Sequence, residues 1–398
     1  MRVVKILVRV ALYTGAGVVA FVGLLVALLW VDRMRETTLP TPTGSFAVGR
    51  TISVWSNPSR PDPMATLPGA KQKLLAWIWY PAAPPPSQQV DDYMPAPLRK
   101  AMENGLFIAL LNRDSSRIHS HSLRDAPVSP AQRQYPVIIM RAGLAALTTD
   151  YTSLAEDLAS HGYVVVGFDA PYRSFAVVFP DGQVIRRAPQ NNLDLLGGDS
   201  QAHMAVKLTR AWSADTAFAL DQIALLDASD PSGRFTGRLD MQHVGVFGHS
   251  LGGAAALEFC HDDPRCKAGI DVDGLPLGDV INDGVTQPFL FLLSDHSSEP
   301  GTESNPVMIN FRSIYNRLPS DRRLWITIRG ADHYGFSDDT KNQVVMYILR
   351  TLGHRMTGLR QIAISEHFID TFFDVYLKGA PISELQNASP YPEVEYVK

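Results

Sequence analysis

Residues 243–253 read His-Val-Gly-Val-Phe-Gly-His-Ser-Leu-Gly-Gly. The stretch opens on β-favouring residues, Val244, Val246 and Phe247, and runs into the Ala-rich segment 251–259, which suits a helix. Between the two, Gly248-His249-Ser250-Leu251-Gly252 spells G-x-S-x-G. At a strand-to-helix bend this pattern exposes the serine, and small residues flank it because the turn is tight. A helix that starts directly after the serine turns backbone N–H groups toward it, favouring negative charge that develops there. Ser250 is the candidate nucleophile.

The same alternation extends both ways from the bend. Upstream, residues 137–140 (VIIM) and 163–168 (YVVVGF) read as strands, with helices expected at 151–160 and 202–226. The second helix carries Met204, Leu208, Trp212, Phe218, Ile223 and Leu226 at helical spacing. Residues 175–179 and 183–185 flank Pro180-Asp181-Gly182 and suggest a small hairpin. Downstream, strands are expected at 268–272, 289–293 and 324–328, and helices at 307–318, 339–351 and 361–376. Apolar strands alternating with helices predict an α/β fold with a mostly parallel central sheet covered on both faces. Strands are also expected at 51–54 and 74–80 (LLAWIWY). The Pro-rich stretch 81–129, with a helical pattern near 98–111, reads as an excursion from the sheet within one domain spanning 49–398.

A serine hydroxyl needs a base, and the base needs an orienting acid. Five histidines follow Ser250: His261, His296, His333, His354 and His367. Only His333 falls in a loop directly after a late strand, where it can reach across the sheet's C-terminal edge. Asp273 and Asp295 each end a strand, and either could carry the acid. Asp271 should point to the opposite face, because strand side chains alternate. His249 is expected to support the bend, with its side chain away from the serine Oγ. The N–H of Leu251 and one from the loop Arg141-Ala-Gly-Leu-Ala-Ala-Leu147, best assigned to Leu144, would stabilise an oxyanion.

Composition excludes several other classes. The chain has 398 residues, 45% of them hydrophobic, with 36 Lys and Arg against 40 Asp and Glu. A formal charge of −4 does not suit a nucleic-acid partner. Two cysteines exclude a disulfide scaffold and an all-Cys metal cluster. Cys260 and Cys266 suit a short disulfide outside the cytoplasm; with His261 they offer too few ligands for zinc. The chemistry requires no cofactor and no metal.

Residues 10–31 form a 22-residue run without charge. A helix of that length spans about 33 Å, enough to cross a bilayer core of about 30 Å. Arg2, Lys5 and Arg9 precede it, while Asp32, Arg33, Arg35 and Glu36 nearly cancel after it. This bias puts residues 1–9 in the cytoplasm and, after a linker at 32–48, the catalytic domain on the extracytoplasmic side of the membrane. A cleaved signal peptide is the rival reading. Its apolar region is usually shorter, and Ala27-Leu28-Leu29-Trp30 makes a poor cleavage site.

Several pieces together resemble the platelet-activating-factor acetylhydrolase family and its bacterial lipase-like relatives. They are Gly143-Leu144, Leu158-Ala-Ser-His-Gly-Tyr163, Gly248-His-Ser-Leu-Gly-Gly253, Gly269-Ile-Asp-Val-Asp273, Pro276-Leu-Gly-Asp279 and Thr327-Ile-Arg-Gly-Ala-Asp-His333. The resemblance implies an α/β-hydrolase fold and hydrolysis of short or oxidised sn-2 acyl esters of phospholipids. It implies Ser250 as nucleophile, Asp273 rather than Asp295 as acid, His333 as base, and Leu144 and Leu251 as oxyanion donors. Arg141-Ala142 departs from the Ser-His that the family tends to carry there. A general carboxylesterase or polyester hydrolase with the same triad is the alternative. A membrane-tethered binding protein without catalysis is a third reading.

Overall fold

The computed structural model describes residues 2–85, 87–102, 106–144, 146–296, 305–338, 341, 343–353 and 355–397. A 12-stranded sheet organises the domain. From one edge its order is Thr37–Thr38, Ile118–Arg124, Ala47–Pro61, Lys71–Ala82, Val164–Asp169, Tyr135–Arg141, Leu239–His249, Cys266–Val272, Phe289–Leu293, Arg323–Ile328 and Val394–Tyr396. Val90–Asp92 pairs with Ile118–Arg124 off this path. The six strands from Val164–Asp169 to Arg323–Ile328 run parallel. Lys71–Ala82 is antiparallel to both its neighbours.

The parallel strands are apolar on both faces because helices cover both. Ile138, Met140, Val165, Leu290 and Leu292 pack with Leu154 and Leu158 of the helix Thr152–Ser160 and with Phe368, Phe372 and Phe373 of Gly358–Lys378. The alternating residues Val137, Ile139, Val164, Val166, Phe289 and Phe291 pack on the other side with Gly198–Ala228, Leu251–Asp262 and Pro306–Arg317. Each fully buried large apolar side chain contributes roughly 1.5–3 kcal/mol, so these two layers carry much of the fold's stability.

Chain order reverses at Tyr135–Arg141, which lies between Val164–Asp169 and Leu239–His249. In parallel α/β sheets such a switch point opens a crevice beyond the C-terminal strand ends, where ligands bind. The Arg141 loop, Ser250, Asp273, Ser294 and the His333 loop all follow C-terminal strand ends.

Two stretches differ from their sequence reading. Residues 81–129 do not leave the sheet altogether: Val90–Asp92 and Ile118–Arg124 extend its edge. The polar alternation of His119, Ser120, His121 and Ser122 concealed this strand; Glu156 satisfies the amides of His121 and Ser122 at 2.9 and 2.6 Å. Residues 32–48 are packed along the domain. Thr37–Thr38 pairs with the Ile118–Arg124 strand, and Leu39 and Val48 are buried. The expected helix at 98–111 is represented by Ala96–Met102 and Leu106–Leu111, with 103–105 outside the described residues. Gln343–Gly353 is helical, and 339, 340 and 342 also lie outside them. Cys260 and Cys266 are disulfide-bonded, with Cα atoms 5.1 Å apart.

The N-terminal helix Arg2–Arg33 contains one stretch long and apolar enough to cross a membrane, Val4–Arg33, whose most apolar 18-residue window has a mean hydropathy of 2.3. Its C-terminal end is tied to the domain. Arg33 Nη1 donates to the Ala109 and Asn112 carbonyls at 2.8 and 3.1 Å, and Asp32 Oδ2 accepts the Gln343 amide at 2.6 Å.

Candidate active site

The sharp bend after Leu239–His249 holds Ser250 at φ 58° and ψ −127°, a left-handed conformation that costs a non-glycine residue of order 1–3 kcal/mol. The surroundings hold it there. The Ser250 amide donates to the Val272 carbonyl at 2.9 Å, and the helix Leu251–Asp262 starts immediately afterwards. A Cβ on Gly248 would stand 2.2 Å from the Gly252 carbonyl oxygen, and one on Gly252 2.5 Å from that of Arg141. Both glycines are therefore dictated by close backbone approach.

Ser250 Oγ lies 3.0 Å from His333 Nε2, placed to donate to it. His333 Nδ1 lies 2.7 Å from Asp273 Oδ2, placed to donate in turn. Asp273 follows the strand Cys266–Val272 at φ 50° and is buried. Its carboxylate also accepts the Ser294 amide and hydroxyl, each at 2.8 Å, and His296 Nε2 at 3.1 Å. Burial raises this carboxyl's pKa, but the hydrogen bonds from His296, His333 and Ser294 outweigh burial and hold it far below the usual carboxylate range. Asp273 therefore stays ionised beside the imidazole it orients.

Asp295 faces elsewhere: its Oδ2 accepts the Gly330 amide at 2.8 Å, bracing the start of the His333 loop. Alternation alone would put Asp271 and Asp273, two residues apart, on one face; the positive φ of Asp273 just past the strand end separates them, and Asp271 Oδ1 accepts the Gly274 amide at 2.8 Å beside the helix Leu251–Asp262. Burial pushes its carboxyl well above the usual range. His261 bonds the Gly284 carbonyl at 2.8 Å, and His367 stacks against Phe368 and Tyr391. His354 lies outside the described residues. The His249 ring is buried beside that of His333, with centroids 4.6 Å apart. Burial first and the nearby His333 second push its imidazole down to about 3, so it is neutral at working pH.

Among the described residues, neither the Leu144 nor the Leu251 amide donates a hydrogen bond, which leaves both available to an incoming oxyanion. Their side chains belong to one apolar cluster in which Met64, Tyr172 and Leu251 are buried and Leu144, Leu193, Met204 and Leu277 are partly buried. Arg141 is buried behind this loop. Its guanidinium lies 3.9 Å from the Phe168 ring and 4.9 Å from Trp212, and it donates to the Phe168 carbonyl at 2.8 Å. Burial lowers it to about 10, which leaves it charged near neutrality.

Sequence reasoning missed two contributors. His296 stands three residues past the end of the strand Phe289–Leu293, and no motif marks it. Tyr151 lies in a short helical turn after the 141–147 loop and reads as an ordinary apolar helix residue.

The profile of the family described as "Platelet-activating factor acetylhydrolase, isoform II" matches residues 36–187 and 220–362. A platelet-activating factor acetylhydrolase of Canis lupus familiaris is 28% identical over 239 residues, which cover 55% of this chain and 52% of that protein. The chain thus spans about half the length of this relative. A probable 1-alkyl-2-acetylglycerophosphocholine esterase of Arthroderma benhamiae is 26% identical over 390 residues, covering 90% and 93%. A ferulic acid esterase from Streptomyces cinnamoneus superposes with a TM-score of 0.73 at 24% identity, over 91% of this chain and 100% of that one, and shares the α/β-hydrolase fold. With the profile matching more than half of its residues around the Ser250 bend, this chain belongs to the platelet-activating factor acetylhydrolase isoform II family.

Proposed function

We propose that the protein is a serine esterase that hydrolyses short or oxidised sn-2 acyl esters of phospholipids. Ser250 is the nucleophile, His333 the general base, and Asp273 the acid that orients the imidazole and stabilises its cation. Ser250 Oγ attacks the ester carbonyl as its proton passes to His333 Nε2. The amides of Leu144 and Leu251 stabilise the oxyanion of the tetrahedral intermediate. His333 then protonates the leaving alcohol, and the acyl group stays on Ser250. Water, deprotonated by the same imidazole, releases the carboxylic acid and restores the hydroxyl. The observation that carries this reading is the unbroken chain from Ser250 Oγ through both nitrogens of His333 to an ionised Asp273. Family membership supports an ester of a lipid.

The domain spanning 49–398 acts beside the membrane, on the extracytoplasmic side, held there by the N-terminal helix. Two features support this. The apolar window within Val4–Arg33 is unburied, with Asp32 and Arg33 fixed to Gln343, Ala109 and Asn112, and the positive charge of Arg2, Lys5 and Arg9 before it supports the side.

The test is a substrate panel with purified full-length protein in detergent: an acetyl phospholipid, a long-chain phospholipid and p-nitrophenyl butyrate, each also given to S250A. Hydrolysis favouring the acetyl phospholipid, and lost in S250A, supports the proposal. Turnover of p-nitrophenyl butyrate alone points to a general carboxylesterase. No turnover by the folded wild type points to a binding protein.

A further inference from the structure

We propose that Tyr151 is a positioning residue that sets the oxyanion hole by locking the Leu144 loop to the nucleophile bend. The inference rests on the proposed esterase reading.

The phenol joins two segments that must keep register. The Gly143 amide donates to Tyr151 Oη at 3.2 Å, and Tyr151 Oη lies 2.7 Å from His249 Nδ1. A phenol can accept from Gly143 and at the same time donate its own proton to His249 Nδ1, and we assign it that way. His249 then carries its hydrogen on Nε2, and its neutral ring lies beside His333. Gly143 immediately precedes the proposed donor Leu144, and His249 immediately precedes the nucleophile. One hydroxyl thus fixes the distance between the two halves of the hole.

The packing leaves this link little slack. Tyr151 is 1% exposed. A Cβ on Gly143 would lie 3.3 Å from His249 Nδ1, 3.3 Å from Tyr151 Oη and 3.4 Å from Ser250 Cβ. The residues around Tyr151 are pinned to the loop of the base as well. Asp338, five residues after His333, accepts the amides of Thr152 and Ser153 at 2.9 and 3.0 Å, and its own amide donates to the Asp150 carbonyl at 2.7 Å. Tyr151 therefore stands where the oxyanion loop, the nucleophile bend and the His333 loop meet. Burial pushes its phenol above the ordinary range, so it remains a proton donor throughout the working pH.

An oxyanion donor acts on charge that develops in the transition state, so a displaced donor lowers kcat more than it raises KM. Removing one donor outright costs about 100–1,000-fold, and loosening one costs less. The experiment compares full-length wild type, Y151F and G143A with p-nitrophenyl butyrate, together with Ki for a trifluoromethyl ketone, whose hydrate mimics the oxyanion. For Y151F a fall in kcat of about 10- to 100-fold is expected, with KM within about 3-fold and Ki weakened in proportion to kcat. G143A, which crowds the same contact without removing the hydroxyl, should move kcat and Ki in the same direction. Folded Y151F with unchanged kcat and Ki would overturn the assignment. If Y151F does not fold, an unchanged G143A overturns it. An inactive wild type would instead overturn the esterase reading itself.

Discussion

Asp273 Oδ1 lies 3.1 Å from His296 Nε2, so the carboxylate that orients His333 holds a second imidazole on its other oxygen. The two Ser294 donors complete the set, and together these bonds offset the burial penalty on the charge.

His296 is one of four donors, so its loss should be felt without being fatal. A hydrogen bond to a charged group contributes about 1.5–3 kcal/mol. H296A should lower kcat/KM by about 10-fold, and H296Q, which keeps a donor, by less. Steady-state kinetics on a short-chain ester decides it. A loss in H296A as deep as that of S250A would mean that His296 is the working base.

The two candidate acids separate by substitution. D273N should lower kcat by about 10,000-fold, since an amide in that place holds the imidazole in the wrong tautomer. D295N weakens the brace on Gly330 and should retain most of the kcat. The reverse order would transfer the acid's role to Asp295.

Glu366 sets a pH dependence of stability. Burial, and then the charges of Asp157 and Asp338, push its carboxyl up to about 9. The folded chain keeps this proton while the unfolded chain releases it near 4.5, so this group's contribution to stability falls as pH rises from about 4.5 to about 9. E366Q mimics the protonated acid. Its Tm should match the wild type near pH 5 and exceed it by several degrees at pH 9. A gap that is constant across this range would contradict the sign.

Gly248 admits no side chain. A Cβ there would meet the Gly252 carbonyl oxygen at 2.2 Å and must displace the backbone of the bend. G248A should lose at least 100-fold in kcat, with a lowered Tm. Near-normal activity would mean that the bend tolerates rearrangement.

The strands beside the bend were legible because both faces of a parallel sheet are buried, which leaves short continuous apolar runs such as 137–140 and 289–293. The meeting of Ser250 with His333 was legible because chemistry and chain order limit where a serine and a histidine partner can stand. The choice between Asp273 and Asp295 was not, since both end strands. It depends on the left-handed backbone at Asp273 and on the Ser294 donors, features with no sequence periodicity. Tyr151 and His296 were hidden for a related reason: each acts through one tertiary hydrogen bond, and residue type alone does not reveal its partner. The Ile118–Arg124 strand escaped because its buried polar side chains imitate a solvated loop.

The most direct measurement is peptide mapping by mass spectrometry after reaction with a fluorophosphonate, on the wild type and on H333A. One adduct on Ser250 in the wild type, formed at least 100-fold more slowly in H333A, is the expected result. A wild type that remains unlabelled, an adduct on another residue, or equally fast labelling of H333A would contradict activation of this serine by this histidine.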